Sequence, residues 1–453
     1  MQRFSCPSLL SRSFTRISAS AGVVRSNTKI SVPKRHLNTE KPLFFSASKT
    51  HARDEKKKVD SEMLAKISAS MQNKATPTII TAEGIDPSPL SASAAAAAAS
   101  GGNKVFTDKA LLEEYINFGG HVRHGKIMED LDALAGAISY KHCDDGKANS
   151  EPIIIVTAAV DRIDFWKPFG VRDLRLLGYV TYVGYSSMEV FMKMEEIPEN
   201  PGEPAETILA ARFTTVAKYA LTHKAAQVNP LRLQNDAEKK LFQISEDHKT
   251  RKRIAAESAL TKRPPTEDER FLIHDLYLEY SKYDDPKATK PDDLEWMSDT
   301  KMSSIQIMQP QDRNIHDKIF GGYLMRLAYE LAFCNTSVFI KCRPTFLALD
   351  EISFRAPVNI GTLLALDSQI VYSEGGEHHS LQVRVKADVL DIQKNTRETT
   401  NTFWFTFEDP QKDRLTPKIM PRTYAESMLY IEGMRRRKEG AKLAQINRAN
   451  LGL

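Results

Sequence analysis

The sequence is poor in cysteine and has no long uninterrupted apolar segment. Four cysteines in 453 residues cannot form the disulfide framework that holds small secreted domains together. The longest nearly pure apolar run, residues 153–160 (IIIVTAAV), is far shorter than the roughly 20 residues that a membrane-spanning helix needs. We therefore expect neither a disulfide-rich secreted module nor a transmembrane segment, in a chain long enough for two or three domains.

Acidic residues are absent from the first 39 positions, which hold seven Lys or Arg and eight Ser. An Arg-rich, Ser-rich and acid-free N-terminus is typical of a mitochondrial transit peptide, with a disordered basic tail as the alternative. We therefore predict a transit peptide at residues 1–40 and a mitochondrial location, in the matrix. The rest of the chain has 56 basic and 58 acidic side chains, so the composition does not indicate a nucleic-acid partner.

Several motifs of catalytic and metal-binding proteins are also missing. There is no Gly-x-Ser-x-Gly segment, so a serine acyl-enzyme is not indicated. There is no Gly-rich phosphate-binding loop of the Walker type. Cys143, Cys334 and Cys342 have no C-x-x-C spacing, so the sequence predicts no metal site and no cofactor.

What the sequence does contain is an internal repeat. Residues 124–138 (HGKIMEDLDALAGAI) match residues 321–332 (GGYLMRLAYELA) at an offset of 197 positions. A second motif follows each of these segments, VDRIDFWKP at 160–168 and LDEISFRAP at 349–357, and its offset is 189 positions. Two motifs in the same order at nearly the same offset indicate two copies of one domain.

Each copy combines an amphipathic helix with alternating strands. Apolar side chains recur at helical spacing over residues 127–138 and 324–332, which predicts one apolar helix face in each copy. Residues 381–389 alternate strictly between apolar and polar, which predicts a half-buried antiparallel strand. Apolar side chains also recur at every second position over 188–194 and 403–407, which predicts further strands of the same kind. The predicted fold class is therefore α+β, with a helix followed by an antiparallel sheet in each copy.

The repeat also divides the chain. We predict domains at residues 105–222 and 301–410, and we expect the low-complexity segment 41–104 to be disordered. Residues 223–300 are predicted to be a charged, partly helical linker in which Thr266 and Glu269 form a capping box. Residues 411–453 are predicted to be a basic helical tail, either solvated on the surface or in contact with an anion or a membrane.

Two segments of the second copy resemble the hot-dog acyl-CoA thioesterases. They are residues 314–332 (NIHDKIFGGYLMRLAYELA) and 350–361 (DEISFRAPVNIG), and the nearest likeness is to the long mitochondrial type with two hot-dog domains in one chain. Residues 125–135 and 157–165 of the first copy are similar to that type's divergent N-terminal domain. The resemblance implies two tandem hot-dog domains, each a long helix wrapped by a curved antiparallel sheet. It also implies acyl-CoA as the substrate, active sites at the junction of the two domains, and a homo-oligomer such as a trimer of double hot-dog chains.

The expected site lies where the second helix begins. The first N–H groups of a helix have no partner within it, so Gly321 and Gly322 suit an oxyanion, with a tight turn or close helix packing as the alternative. The resemblance places the base in the preceding loop or in the partner helix. Asp317, Asn314 and Asp132 are therefore the expected catalytic residues, and solvated or capping acids are the alternative for the two aspartates.

The two copies are not equivalent, because the first copy has Arg-His-Gly (residues 123–125) where the second has Phe-Gly-Gly. We therefore predict one competent site and a degenerate pseudo-symmetric site with His121 or His124 opposite Glu330. Either histidine could be a base or a surface side chain. The predicted function is hydrolysis of acyl-CoA thioesters to free fatty acid and coenzyme A in mitochondria. The alternative is a catalytically weak hot-dog protein that binds acyl-CoA or acts as a scaffold.

Overall fold

The computed structural model of the chain describes residues 113–144, 151–167, 170–198, 200, 203–283, 285, 287–314 and 316–451. The predicted transit peptide and the low-complexity segment before residue 105 lie outside these residues. The helices are α1 (His124–Cys143), α2 (Asp236–Glu257), α3 (Glu267–Ser281), α4 (Gly321–Ile340) and α5 (Tyr424–Leu451). The strands are β1 (Ile153–Phe165), β2 (Leu174–Val183), β3 (Ser187–Glu196), β4 (Glu206–Tyr219), β5 (Leu294–Trp296), β6 (Met302–Ile307), β7 (Thr345–Leu349), β8 (Ile352–Ser353), β9 (Leu363–Gly375), β10 (His378–Asp391), β11 (Thr396–Glu408) and β12 (Lys418–Met420).

The strands of both copies join into one sheet. Its order is β2-β3-β4-β1-β7-β11-β10-β9-β6, with β8 paired to β1. The two halves meet edge to edge at β1 and β7, where Ile163 lies opposite Leu349 in antiparallel register. The second half also has a strand before its helix, β6, which the sequence pattern did not indicate. Joining the halves at β1 and β7 pairs two strands that would otherwise be edges and leaves β2 and β6 at the ends of the strand order, which limits unpaired backbone groups.

The helices α1 and α4 lie on one face of this sheet and pack against each other. The predicted apolar stripes face the sheet: Met128, Leu131 and Ala135 of α1 are fully buried. Phe403, Phe405 and Phe407 of β11 are also fully buried. Trp404 and Thr406 between them are only 7% and 4% exposed, so this strand is buried on both faces and the prediction of a half-buried strand is wrong here. Polar groups join the two helices as well, since Arg326 Nε lies 2.8 Å from Glu129 Oε1.

The helices α2 and α5 cover parts of the opposite face of the sheet. Phe242 of α2 packs on Tyr182 of β2, with ring centroids 5.0 Å apart. Tyr430 of α5 packs on Tyr372 of β9 at the same separation. The prediction of a solvated C-terminal helix is therefore wrong for one of its faces. Tyr430 and Ile431 are buried, and the basic run itself contributes to the packing, because the Arg436 guanidinium lies 4.6 Å from the ring centroid of Trp404 on β11.

The segment between the two copies is helical where it was expected to be. The capping box at the start of α3 is confirmed, because the Thr266 hydroxyl accepts from the Glu269 amide and the Glu269 carboxylate accepts from the Thr266 amide. Glu269 also binds Arg435 of α5, with N–O distances of 2.6 and 2.7 Å. The linker helix α3 is thus fastened to the C-terminal helix by a bidentate ion pair.

Candidate active site

One carboxylate of the first copy contacts the helix start of the second copy. Asp132 lies on α1, and its Oδ2 accepts a hydrogen bond of 2.7 Å from the Gly322 amide of α4. This amide is one of the first N–H groups of a helix, which have no partner within the helix and favour a negative charge. The two copies, 190 positions apart at these residues, are therefore joined by a buried contact between a carboxylate and a helix N-terminus.

The two glycines allow this close approach. A Cβ on Gly322 would lie 2.7 Å from the Cα of Glu129 and 3.2 Å from the Cβ of Asp132. A Cβ on Gly321 would lie 3.0 Å from Asp132 Oδ2. Only a residue without a side chain lets the two helices come this near, so the close-packing alternative applies to both glycines. The two backbone amides differ in their hydrogen bonding: the Gly322 amide donates to Asp132, and the Gly321 amide makes no hydrogen bond with the described residues.

The environment of Asp132 favours the protonated form of its carboxyl group. The residue is only 2% exposed. Burial raises the pKa of Asp132 to about 6, although the hydrogen bonds from Thr157 and Gly322 act in the opposite direction. A carboxylate with a pKa near neutrality is suited to take up and release a proton during catalysis.

The other hydrogen-bond donor to this carboxylate is Thr157, which was not among the predicted site residues. Its hydroxyl on β1 donates a hydrogen bond of 2.6 Å to Asp132 Oδ1. The repeat held a signal for it, because the position 189 residues later is Phe346, an aromatic residue with no hydrogen-bonding group. A polar side chain in one copy at a position that is aromatic in the other marks the junction where polar chemistry is possible.

The loop before the glycines has a defined shape that Asn314 maintains. Its Oδ1 accepts hydrogen bonds from the amides of His316 (2.9 Å) and Lys318 (3.1 Å). Asn117 of the first copy, 197 positions earlier, shapes the equivalent loop in the same way. Asn314 Nδ2 makes no hydrogen bond with the described residues.

Asp317 is the expected site residue that the structure does not bring to the Asp132–Gly322 contact. Its side chain is 79% exposed, and its nearest basic partner is Arg313, at 3.4 Å. Its backbone adopts the left-handed conformation, with φ of 55°. Aspartate tolerates this conformation better than most residues, so Asp317 acts here as a turn residue.

The pseudo-symmetric junction has different chemistry. Tyr329 takes the place of Asp132, and its hydroxyl lies 3.3 Å from Nδ1 of His124, which takes the place of Gly321. His124 packs edge-on against Phe165 and Phe346, and burial lowers the pKa of His124 to about 4. Rings therefore occupy the volume in which the other junction has Gly321 and a carboxylate, while Gly125 keeps the glycine of the Gly322 position.

The remaining residues expected at the second junction lie apart from this cluster. Glu330 binds Arg123, with an N–O distance of 2.9 Å, rather than either histidine. His121 is exposed, and its amide donates to the side chain of Asn117. His121, His124 and Glu330 thus form no acid–base pair with one another in the structure.

Two features of the described part of the chain bear on the site. No three His, Cys, Asp or Glu side chains among the described residues converge in the way that a metal ion would require. Within the same residues, no helix has an apolar stretch long enough to cross a membrane.

A long helix packed on an antiparallel sheet, present twice with a carboxylate from one helix at the start of the other, defines a paired hot-dog protein. The family model of the thioesterase superfamily matches residues 119–198, which span α1 and most of the first half-sheet. The predicted fold class, two hot-dog domains in tandem within an α+β chain, is confirmed.

Relatives that align with most of the chain identify the family within this class. An acyl-coenzyme A thioesterase 9, mitochondrial, from Bos taurus is 39% identical over 333 residues, covering 72% of this chain and 74% of the relative. An acyl-coenzyme A thioesterase 10, mitochondrial, from Mus musculus is 38% identical over 73% of this chain and 74% of its own length. An acyl-coenzyme A thioesterase 2, chloroplastic, from Humulus lupulus is 35% identical over 72% of this chain and 77% of its own length. The chain belongs to this family of double hot-dog acyl-CoA thioesterases.

Proposed function

We propose that the chain hydrolyses acyl-CoA thioesters to free fatty acid and coenzyme A, at one site formed by Asp132, Thr157 and the start of α4. The observation that supports this proposal is the pair of hydrogen bonds that fix the buried Asp132 carboxylate at a helix N-terminus. The names of the relatives describe thioesterases that act on acyl-coenzyme A, and we extend that activity to this chain.

Asp132 is the proposed base. Each of its oxygens accepts one hydrogen bond in the structure, from Thr157 or Gly322. A carboxylate oxygen can accept two hydrogen bonds, so either oxygen of Asp132 can accept a second one from a water molecule. The carboxylate takes a proton from this water as the oxygen attacks the carbonyl carbon of the thioester. The same proton then passes to the sulfur as the carbon–sulfur bond breaks, which yields a carboxylic acid and a thiol.

The carbonyl oxygen of the substrate needs donors as it becomes an oxyanion. The Gly321 amide is the proposed backbone donor, because Gly322 already binds Asp132. The side-chain amide of Asn314 is the proposed second donor, since its oxygen is used within the loop. Removing one such donor costs on the order of 10²–10³ in rate in enzymes where it has been measured.

The second junction is proposed to be structural. Tyr329 and His124 lack a carboxylate and fill the space with rings, as the distances above indicate. We further propose that the chain is located in the mitochondrial matrix and assembles as a homo-oligomer, a trimer of double hot-dog chains being the expected form. The domain limits given from the repeat are part of the same proposal.

The experiment that tests this function measures thiol release. The full chain is incubated with acyl-CoA substrates of increasing chain length, and free coenzyme A is detected with a thiol reagent while acyl-CoA binding is measured in parallel. We expect release that depends on enzyme concentration and saturates with substrate. Tight binding of acyl-CoA without release would contradict the proposal and favour the scaffold alternative.

A further inference from the structure

A second contact between the two copies lies beside the proposed site. Tyr140 of α1 is eight residues after Asp132, and its hydroxyl lies 3.0 Å from Nε2 of His316. His316 belongs to the loop that Asn314 shapes, six residues before Gly322. The segment between His316 and Gly322 is thus attached to the first copy at both of its ends.

The two attachments have the same construction. At the first, Asp132 of α1 binds Thr157 of β1 and the Gly322 amide. At the second, the Tyr140 hydroxyl accepts from the Ile155 amide of β1 at 3.0 Å and contacts His316. Each attachment therefore joins α1 to β1 within the first copy and extends to the segment that leads into α4.

The protonation states of Tyr140 and His316 follow from their burial and their hydrogen-bond partners. Burial raises the pKa of the Tyr140 phenol to about 12, so the hydroxyl keeps its proton near neutral pH. Because the Ile155 amide donates to the Tyr140 oxygen, the phenol proton is available for His316 Nε2. Burial also lowers the pKa of His316, which favours a neutral ring that can accept this proton.

The attachment exists at only one of the two junctions. The position 197 residues after Tyr140 is Ser337, whose hydroxyl bonds to the Phe333 carbonyl of its own helix. The position 197 residues before His316 is Gly119, which has no side chain. At that second junction the equivalent loop contacts the other copy through a different pair, the Arg343 guanidinium over the Phe118 ring at 4.7 Å. The hydrogen-bonded Tyr–His contact that also reaches β1 occurs at the junction with Asp132.

We propose that Tyr140 and His316 form a positioning pair that holds residues 316–322 and the neighbouring Asn314 against the first copy. The pair sets the place of the Gly321 and Asn314 donors relative to the Asp132 carboxylate. Misplacing donors by a fraction of an ångström lowers the rate of the chemical step more than it lowers substrate binding. The proposal rests on the hydrolytic function proposed above and adds two residues that touch neither the carboxylate nor the glycines.

The test uses Tyr140→Phe, His316→Ala and the double variant in the full chain. A hydrogen bond of typical net strength predicts a fall in kcat of about 3- to 10-fold for each single variant, with KM changed less than about twofold. The double variant is expected to lose no more than His316→Ala alone, because His316→Ala already removes the contact that Tyr140→Phe removes, together with a hydrogen bond between the His316 ring and the Ile155 backbone. His316→Gln, which keeps a hydrogen-bonding group at similar reach, is expected to restore part of kcat.

The matched control is His142→Ala. His142 is on the same helix, two residues after Tyr140, and binds at 2.8 Å the carbonyl of Asn229, in the segment that directly follows the first copy. We expect this variant to keep the wild-type kcat even if its thermal midpoint falls. Equal losses of kcat in the control, additive losses in the double variant, or a wild-type kcat in Tyr140→Phe would each overturn the proposal.

Hydrogen exchange separates this proposal from the proposed function. In Tyr140→Phe, amide exchange is expected to rise in a peptide that covers residues 316–322 and to stay unchanged in α5. This measurement needs no substrate. If the wild-type chain releases no thiol, the proposed function fails, and hydrogen exchange alone then tests the Tyr140–His316 pair. If thiol release is normal but exchange and kcat are unchanged in the variants, only the positioning pair is refuted.

Discussion

Replacing Asp132 by Asn tests the site most directly. Asn has the same shape, and both hydrogen bonds can be kept: its oxygen accepts from the Gly322 amide, and its NH₂ group donates to the Thr157 oxygen. What is lost is the ability to take a proton from water. A positioned base contributes about 10²–10⁴-fold to rate, so we expect kcat of Asp132→Asn to fall by that factor.

The same substitution has a second effect, on stability. The folded pKa of Asp132 is about 6, above the ordinary value of 3.8. A raised pKa in an acid means that folding disfavours the charged form, so the penalty is absent below about pH 4, grows between pH 4 and 6, and is complete above pH 6. At about 1.4 kcal/mol per pH unit, the penalty is about 3 kcal/mol. Asp132→Asn should therefore be more stable than the wild type at pH 8 by up to about 3 kcal/mol, and equal to it near pH 4.

The assay combines thiol release at pH 8 with denaturant unfolding at pH 4 and pH 8. Asp130→Asn is the matched control, because Asp130 is on the same helix and equally buried but accepts its hydrogen bonds from Tyr115 at 2.8 and 3.0 Å. We expect the control to keep turnover within about twofold. Asp132→Asn with more than a third of wild-type kcat would refute the assignment of the base. A variant destabilised at pH 8 would refute the account of the buried charge.

Three further variants probe the surroundings of the carboxylate. Thr157→Val removes a hydrogen bond that lowers the pKa of Asp132, so the acid limb of kcat/KM should move above pH 6; an unmoved limb would contradict this role. Gly322→Ala places a Cβ 2.7 Å from the Cα of Glu129, so we expect a loss of about 1–3 kcal/mol in unfolding free energy together with most of the activity; wild-type melting would show that the helices can separate freely. Asp317→Ala should keep kcat within about twofold because the side chain is 79% exposed, and a loss of 100-fold or more would return the base to the loop.

Much of the fold could be predicted because the relevant signals are local or periodic. The apolar stripe of α1 and the alternating valines Val383 and Val385 of β10 are buried as predicted. The polar side of α1 at Glu129 and Asp132 and the Trp404 side of β11 are buried as well, because α4 and α5 pack on them. The capping box of Thr266 is a pattern of four residues and needs no tertiary information. The C-terminal helix was expected as a helix, but its contact with the sheet was not, because charged side chains between apolar ones hide a weak periodicity.

The site was only partly predictable, for a different reason. Asp132 and the two glycines stand out through the repeat and the family resemblance. Tyr140 does not, because a tyrosine in a helix is an ordinary residue until its partner is known. Thr157 is marked only by its contrast with Phe346 in the other copy. Asp317 was selected for its position in the chain, yet its backbone conformation turns it into an exposed loop residue.

By itself, the sequence determined that the chain holds two copies of one helix-and-sheet domain, and that the copies differ before their helices. Periodicity and repeat offsets depend only on the order of residues, so no coordinates were needed. The tertiary structure decided which side chains of one copy reach the other. Asp132 meets Gly322 and Tyr140 meets His316 only because β1 and β7 join edge to edge and the two glycines let α1 and α4 approach. Contacts between residues more than 170 positions apart depend on that packing, and no local pattern specifies it.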